Sequence, residues 1–163
     1  MIEVRVGEED EERIFHVHQE LLVQHSDSFA AALGGDWKER VDRSVKLPED
    51  DPEQFDHFCC FLYTGQLFTR RSGDRYVDGD GDDCDNEFER ICHAWVFGNK
   101  LQSTTYKDAV ADSLIMKVID DKFHPVSMHE EIENHAARSA PFRTLLIDIA
   151  VHCWRNETFE ELR

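Results

Sequence analysis

The stretch from Asp78 to Glu89 holds acidic side chains at a spacing that would suit a calcium ion. Asp78, Asp80 and Asp82 stand at positions 1, 3 and 5 of a loop, and Glu89 at position 12, so hard carboxylate oxygens could converge on one cation. Two residues speak against it. Position 6 is Asp83, where the sharp turn requires glycine, and position 8 is Asp85, where an apolar residue normally meets a second loop. No entering helix is visible either. A solvated acidic loop is the default reading, with a calcium-responsive switch as its rival.

His57 with Cys60, and Cys92 with His93, are the other ligand-type pairs. Residues three apart on a helix can share a metal, but neither pair has the usual zinc spacing, and core cysteines are the better reading. His16 and His18 flank Val17, and alternation sets both on the face opposite Phe15 and Val17. They have no nucleophile to activate, because no Ser or Cys sits in a G-x-S-x-G elbow. Gly79 and Gly81 lie among aspartates that would repel phosphate. The expectation is therefore a protein that is not an enzyme and needs no metal or cofactor. Trp37-Lys38-Glu39 differs in kind, because it follows the helix-stopping pair Gly34-Gly35. The tryptophan either folds back onto the core or stands out as an anchor, since large aromatics flanked by polar residues dominate binding hot spots.

Behind these candidates stand the elements that must hold them. Ile2, Val4 and Val6 alternate with Glu3 and Arg5, the period of a half-buried strand. Gly7 and the acidic run Glu8 to Glu12 read as a hairpin loop into a second short strand, Arg13 to Val17. A helix is expected from His18 to Gln24. Ser26 is placed to cap a second one with Phe29, Ala32 and Leu33 on one face, stopped by Gly34 and Gly35. Val45 and Leu47 mark a third strand. Asp51, Pro52 and Gln54 form a capping-box start for a helix in which Phe55, Phe58, Cys59 and Leu62 fall at i, i+3, i+4 and i+7.

Residues 66–87, with Arg70-Arg71-Ser72-Gly73 and the Asp/Gly run from Asp78 to Asp85, have little to bury and read as a flexible acidic insertion at the surface. Helical periodicity returns with Phe88, Ile91, Cys92 and Trp95, and a further helix is expected from about Thr104 to Ile119. Ser127 and Glu130 make a second capping box. Pro141 opens a helix whose stripe is Phe142, Leu145, Leu146, Ile149 and Cys153. Lys122 to Pro125 is the candidate junction before this last part, and no internal repeat is visible.

The 163 residues suffice for one ordinary domain, and their formal net charge of -17 bears on partners. Phosphate binding needs clustered Lys and Arg, so nucleic acid and anionic membrane surfaces are not expected. No apolar run approaches the length of a spanning helix, and no signal-peptide pattern opens the chain. Five irregularly spaced cysteines, mostly among apolar neighbours, read as reduced, buried thiols of an intracellular protein, cytoplasmic or nuclear.

Taken in order, several segments resemble the BTB/POZ domain over roughly residues 1–120. They are Phe15-His16-Val17-His18 with Leu21-Leu22, then Ser28-Phe29, then Val45-Lys46-Leu47, then the run from Phe55 to Leu62-Tyr63-Thr64-Gly65. The C-terminal stretch, with Leu145-Leu146-Ile147-Asp148 and Trp154, is similar to the tail of short BTB proteins of filamentous fungi. The resemblance implies an α+β fold: a small three-stranded sheet capped by a cluster of helices. Residues 66–87 would be an insertion in that domain, and residues 121–163 a C-terminal helical extension packed on it.

The resemblance also implies a module for binding other proteins. Many members of that family self-associate, and many recruit a cullin scaffold as substrate adaptors of ubiquitin ligases. In those adaptors a hydrophobic-x-Glu element lies between the second helix and the third strand, where Trp37-Lys38-Glu39 falls here. An apolar anchor there would fill a pocket, and a carboxylate would meet a cation at the rim. Helices from about Ser127 to Trp154 would form the second part of the contact. Two departures matter. Members that dimerise by strand exchange swap a segment upstream of the first strand, and this chain opens on that strand, so the exchange element is expected to be missing. Other members carry a charged pocket, with an Asp opening the first strand and an Arg after His-x-His; those positions are Met1 and Gln19. An adaptor of this kind would read its substrate with the insertion, the C-terminal helices or residues outside this chain.

Overall fold

In the computed structural model, described over residues 1–8, 10–34, 44–73, 75–77, 83–121 and 141–160, strand β1 (Ile2–Val6) is the centre of a three-stranded mixed sheet. β2 (Arg13–Val17) pairs with it antiparallel, setting Val4 opposite Phe15. β3 (Ser44–Leu47) pairs with it parallel, setting Val4 opposite Val45. The alternation of β1 decides which face is covered: Ile2, Val4 and Val6 are buried, while Arg5 pairs with Glu3 at 2.7 Å on the other side. A slip of one residue would bury that ion pair and expose the valines, so the hydrophobic pattern holds the register.

The chain packs as two compact units, residues 1–68 with 97–110 and residues 69–96 with 111–163. In the first, helices α1 (Gln19–His25), α2 (Asp27–Gly34) and α3 (Pro52–Thr64) accompany the sheet. α3 begins where the sequence signals say: Asp51 accepts a hydrogen bond from the Glu53 N–H at 2.8 Å, and Pro52 opens the first turn. Such a cap is worth about 1 kcal/mol. The expected capping box does not close, however. Gln54 lies on the same face as Phe58 and Phe61, is buried with them, and its Oε1 has no partner among the described residues. Burial of that face outweighs the reach back to the cap. Phe55 is the hub of an aromatic cluster, with the rings of Phe15, Phe29, Phe58 and Phe97 at 4.9 to 6.4 Å. Each fully buried side chain of this kind contributes about 1.5–3 kcal/mol.

Helices α4 (Asn86–Lys100) and α5 (Thr104–Asp121) each place residues in both units. In the first unit they supply Phe97, Tyr106 and Val110 to the core. In the second unit, Phe88, Ile91, Cys92, Trp95 and Leu114 are buried with Phe142 and Leu146 of α6 (Pro141–Glu160). The expected stripe of α6 is inward at Phe142 and Leu146 and half-buried at Leu145 and Ile149. Phe142 stacks on Trp95 at 4.8 Å and 13°. Residues 127–130, the second expected capping box, lie outside the described residues.

One finding differs from the sequence expectations. Residues 66–87, read as a flexible insertion, contain an antiparallel pair, β4 (Arg75–Val77) with β5 (Asp83–Asp85), and their ends are buried at Thr69 and Glu87. The reason lies thirty residues on. Lys117 is buried, and its Nζ donates to Glu87 Oε2 at 2.7 Å, while the Thr69 hydroxyl donates to Oε1 at 3.0 Å. A buried ammonium needs such a carboxylate, and the segment that supplies it cannot be pure surface. Within the second unit Phe142 joins α6 to α4 through its stacking on Trp95.

Candidate interaction surface

Trp37, Lys38 and Glu39 lie outside the described residues, but both flanks are on view. α2 ends at Gly34 and β3 begins at Ser44. α2 is held at its start by an exchange of helix ends. The backbone N–H groups of Asp27 and Ser28 donate to the carbonyls of Gln102 and Leu101, each at 3.4 Å. Ser26 Oγ accepts from the Phe29 N–H at 3.2 Å and donates to Leu101 O at 2.6 Å. The orphan donors of one helix thus meet the orphan acceptors after another. This explains the Ser28-Phe29 pair: Ser28 Oγ bonds the Lys100 carbonyl, and Phe29 is buried.

Leu62-Tyr63-Thr64-Gly65 is a corner rather than a site. Leu62 is buried, and the Thr64 hydroxyl donates to Cys60 O at 2.6 Å and accepts from the Gln66 N–H at 3.1 Å. Gly65 takes φ +69, the left-handed cap that glycine tolerates best, and its N–H donates to Phe61 O at 2.7 Å. The Tyr63 hydroxyl accepts from the His18 N–H at 3.1 Å and lies 2.8 Å from His18 Nδ1. His18 is thus engaged in holding the β2–α1 turn against the end of α3.

Two grooves open on the first unit. One is lined by Met1, His18, Gln19, Glu20 and Val23. The other is acidic, with Glu8, Asp10, Glu11 and Glu12 from the β1–β2 turn facing Glu49 and Asp50 from the β3–α3 turn. Lys46 is the cation in its lining, and Lys100 pairs with Asp50 at 2.7 Å.

The described ligand-type residues are not gathered into a site. Among the described residues, no group of three or more His, Cys, Asp or Glu is placed to hold a metal ion. Cys92 is buried and Cys59 half-buried, but Cys60 is exposed, contrary to the expectation of a core thiol. Its position follows from the helix: Asp56, Cys60, Tyr63 and Thr64 form the outer face of α3. Burial, then the charges of Asp56 and Cys60, push the Cys59 thiol up to about 12. Burial, then Asp56, also raises Cys60. Thiols that keep their protons are weak nucleophiles and weak metal ligands. Asp78, Asp80 and Asp82 of the calcium-type loop lie outside the described residues; Glu89 is exposed on α4.

One surface feature escaped the sequence reading. Ile115, Met116 and Ile119 of α5 are exposed, the last two by 58% and 63%, and so are Ile147 and Val151 of α6. The signal was present, since α5 carries apolar residues on more than the one face that its buried Leu114 needs. No described helix is long and apolar enough to cross a membrane.

Residues 2–78 match the family model of the BTB/POZ domain. No curated protein matches the chain. The mixed sheet in the order β2-β1-β3, helices α1 and α2 between β2 and β3, and α3 with its caps Asp51 and Gly65 all fall within the matched stretch. Residues 2–78 of this chain belong to the BTB/POZ domain family, whose members are in general protein–protein interaction modules rather than enzymes.

Proposed function

We propose that this protein is an intracellular adaptor that holds a cullin scaffold of a ubiquitin ligase, with Trp37-Lys38-Glu39 as its anchor. The observation that carries this reading is position: the tripeptide stands between α2 and β3, inside the family match, where cullin-binding members place a hydrophobic-x-Glu element. The indole would fill a pocket on the scaffold and the carboxylate would meet a cation at the rim. The C-terminal extension, residues 121–163, would add the second part of the contact.

The test is a pull-down with the N-terminal domain of a cullin, comparing wild type with Trp37→Ala and Glu39→Lys. Loss of a central aromatic anchor is expected to weaken binding by about 30-fold or more, the effect of a hot-spot residue. No binding by the wild type removes the adaptor reading.

A second reading, a scaffold that only self-associates, is favoured by the groove at Met1, His18 and Val23, beside which Tyr63 bonds His18. Met1, Val23 and Tyr63 are exposed by 66%, 37% and 51%. Light scattering separates the two: the scaffold reading needs a stable dimer together with no cullin binding.

A further inference from the structure

Between Ala111 and Asp120, α5 turns a strip of unusual composition outward. Ile115, Met116 and Ile119 are exposed by 37%, 58% and 63%, and Asp112 and Asp120 are exposed beside them. The spacings 112, 116, 120 and 115, 119 are single turns, so the five side chains form one continuous ridge of about 12 Å. The one cation of this stretch, Lys117, points the other way. It is buried, its Nζ donates to Glu87 Oε2 at 2.7 Å, and it lies 4.6 Å from the Phe88 ring centroid. The outward face is therefore apolar in the middle and purely acidic at its edges.

We propose that this strip is a docking face for an amphipathic helix of another protein that carries Lys or Arg beside its apolar anchors. The anchors of such a helix at i, i+4 and i+7 span about 10 Å, the reach of the strip. Charge selects the occupant. A second copy would set Asp112 and Asp120 against their own kind, in a chain whose net charge is already -17. A basic partner turns the same aspartates into attractive rim contacts. The strip shares no residue with Trp37-Lys38-Glu39 and would offer the adaptor a place for its client, so the two readings fail independently.

The probe is a 20-residue amphipathic peptide with Leu at i, i+4 and i+7 flanked by Lys, followed by fluorescence anisotropy with the full chain. Met116→Ser with Ile119→Ser is expected to weaken binding at least tenfold. Asp112→Lys with Asp120→Lys is expected to weaken it similarly, and to create binding of the same peptide with Glu in place of Lys. All four side chains are exposed, so the fold survives the changes, which thermal unfolding checks. An Ile14→Ser control on β2, at a side chain 50% exposed, should leave binding unchanged. Absent binding would overturn the proposal, and so would binding that ignores both double variants, which would show only a general attraction to an acidic chain. It would also be overturned if Met116→Ser with Ile119→Ser abolished a dimer, which seats a second copy on the strip. Loss of cullin-domain binding in that variant would do the same, by assigning the strip to the scaffold.

Discussion

Replacing Tyr106 with phenylalanine is expected to stabilise this protein, against the usual direction of a core substitution. Tyr106 is completely buried, with its ring 5.1 Å from Phe58 and 5.2 Å from Phe61, edge to face in both cases. Its hydroxyl has no hydrogen-bond partner among the described residues. Burying a hydroxyl without a compensating bond costs roughly 1–3 kcal/mol. Phenylalanine keeps both ring contacts and leaves a gap of about 10 Å³, which costs about 0.2 kcal/mol at the usual rate per unit of cavity volume. The balance favours the variant by about 1 kcal/mol, which is a rise in Tm of roughly 2–4 °C for a chain of this size. Urea unfolding at pH 7 should show a higher midpoint with an unchanged slope.

The alkaline limb gives an independent reading. Burial is the main force raising the Tyr106 phenol above its ordinary 10.0, with smaller contributions from Cys60 and Cys59. The unfolded chain releases this proton near 10, while the folded chain still holds it. Wild-type stability therefore falls as pH rises above about 10, by up to about 1.4 kcal/mol per pH unit from this group. Phenylalanine removes that contribution, so its advantage should widen with pH. A variant less stable than wild type by about 1 kcal/mol at pH 7 would refute the reasoning. It would mean that the hydroxyl is bonded, to a buried water or to a neighbouring thiol.

Gly98→Ala is expected to destabilise, although alanine is the better helix former by about 1 kcal/mol. Its Cβ would stand 2.8 Å from Tyr106 Cδ1 and 3.1 Å from Lys107 Cγ, and overpacking of that kind costs about 1–3 kcal/mol. A gain in thermal stability equal to the full propensity difference would show that the Tyr106 ring yields freely. Lys117→Met takes the 2.7 Å ammonium from the buried Glu87 carboxylate and leaves the longer 3.4 Å contact to Arg70, and is expected to cost about 3 kcal/mol, the low end for a broken buried pair. Adding Glu87→Gln should recover about 1 kcal/mol or more, measured as the coupling in a double-mutant cycle. A cost below about 1 kcal/mol for Lys117→Met alone would mean that the pair is wet.

Much of the fold was legible because its signals are local. The alternation of Ile2, Val4 and Val6, the cap at Asp51, the stop at Gly65 and the start at Pro141 each depend on a few neighbouring residues, and each stands where it was expected. Ser26 is half legible. Its capping of Phe29 is local, but its bond to Leu101 joins residues 75 apart in sequence. Of the candidate sites, His18 proved to be held by Tyr63, and Cys60 proved to face outward. The acid-rich composition of residues 66–87 hid both a strand pair and the carboxylate that serves Lys117.

The resemblance of the ordered segments from Phe15 to Gly65 to the BTB/POZ domain named the family and made proteins the expected class of partner, and composition agreed. Periodicity and caps are set by backbone geometry within one or two turns, and a chain of net charge -17 has few partners of like sign. Which side each helix buries was settled by packing between residues far apart. Gln54 went inward despite its polarity, Lys117 went inward to meet Glu87, and Ile115, Met116 and Ile119 were left outside. Burial is a contest among all the faces that compete for one core, and no window of sequence contains the competitors.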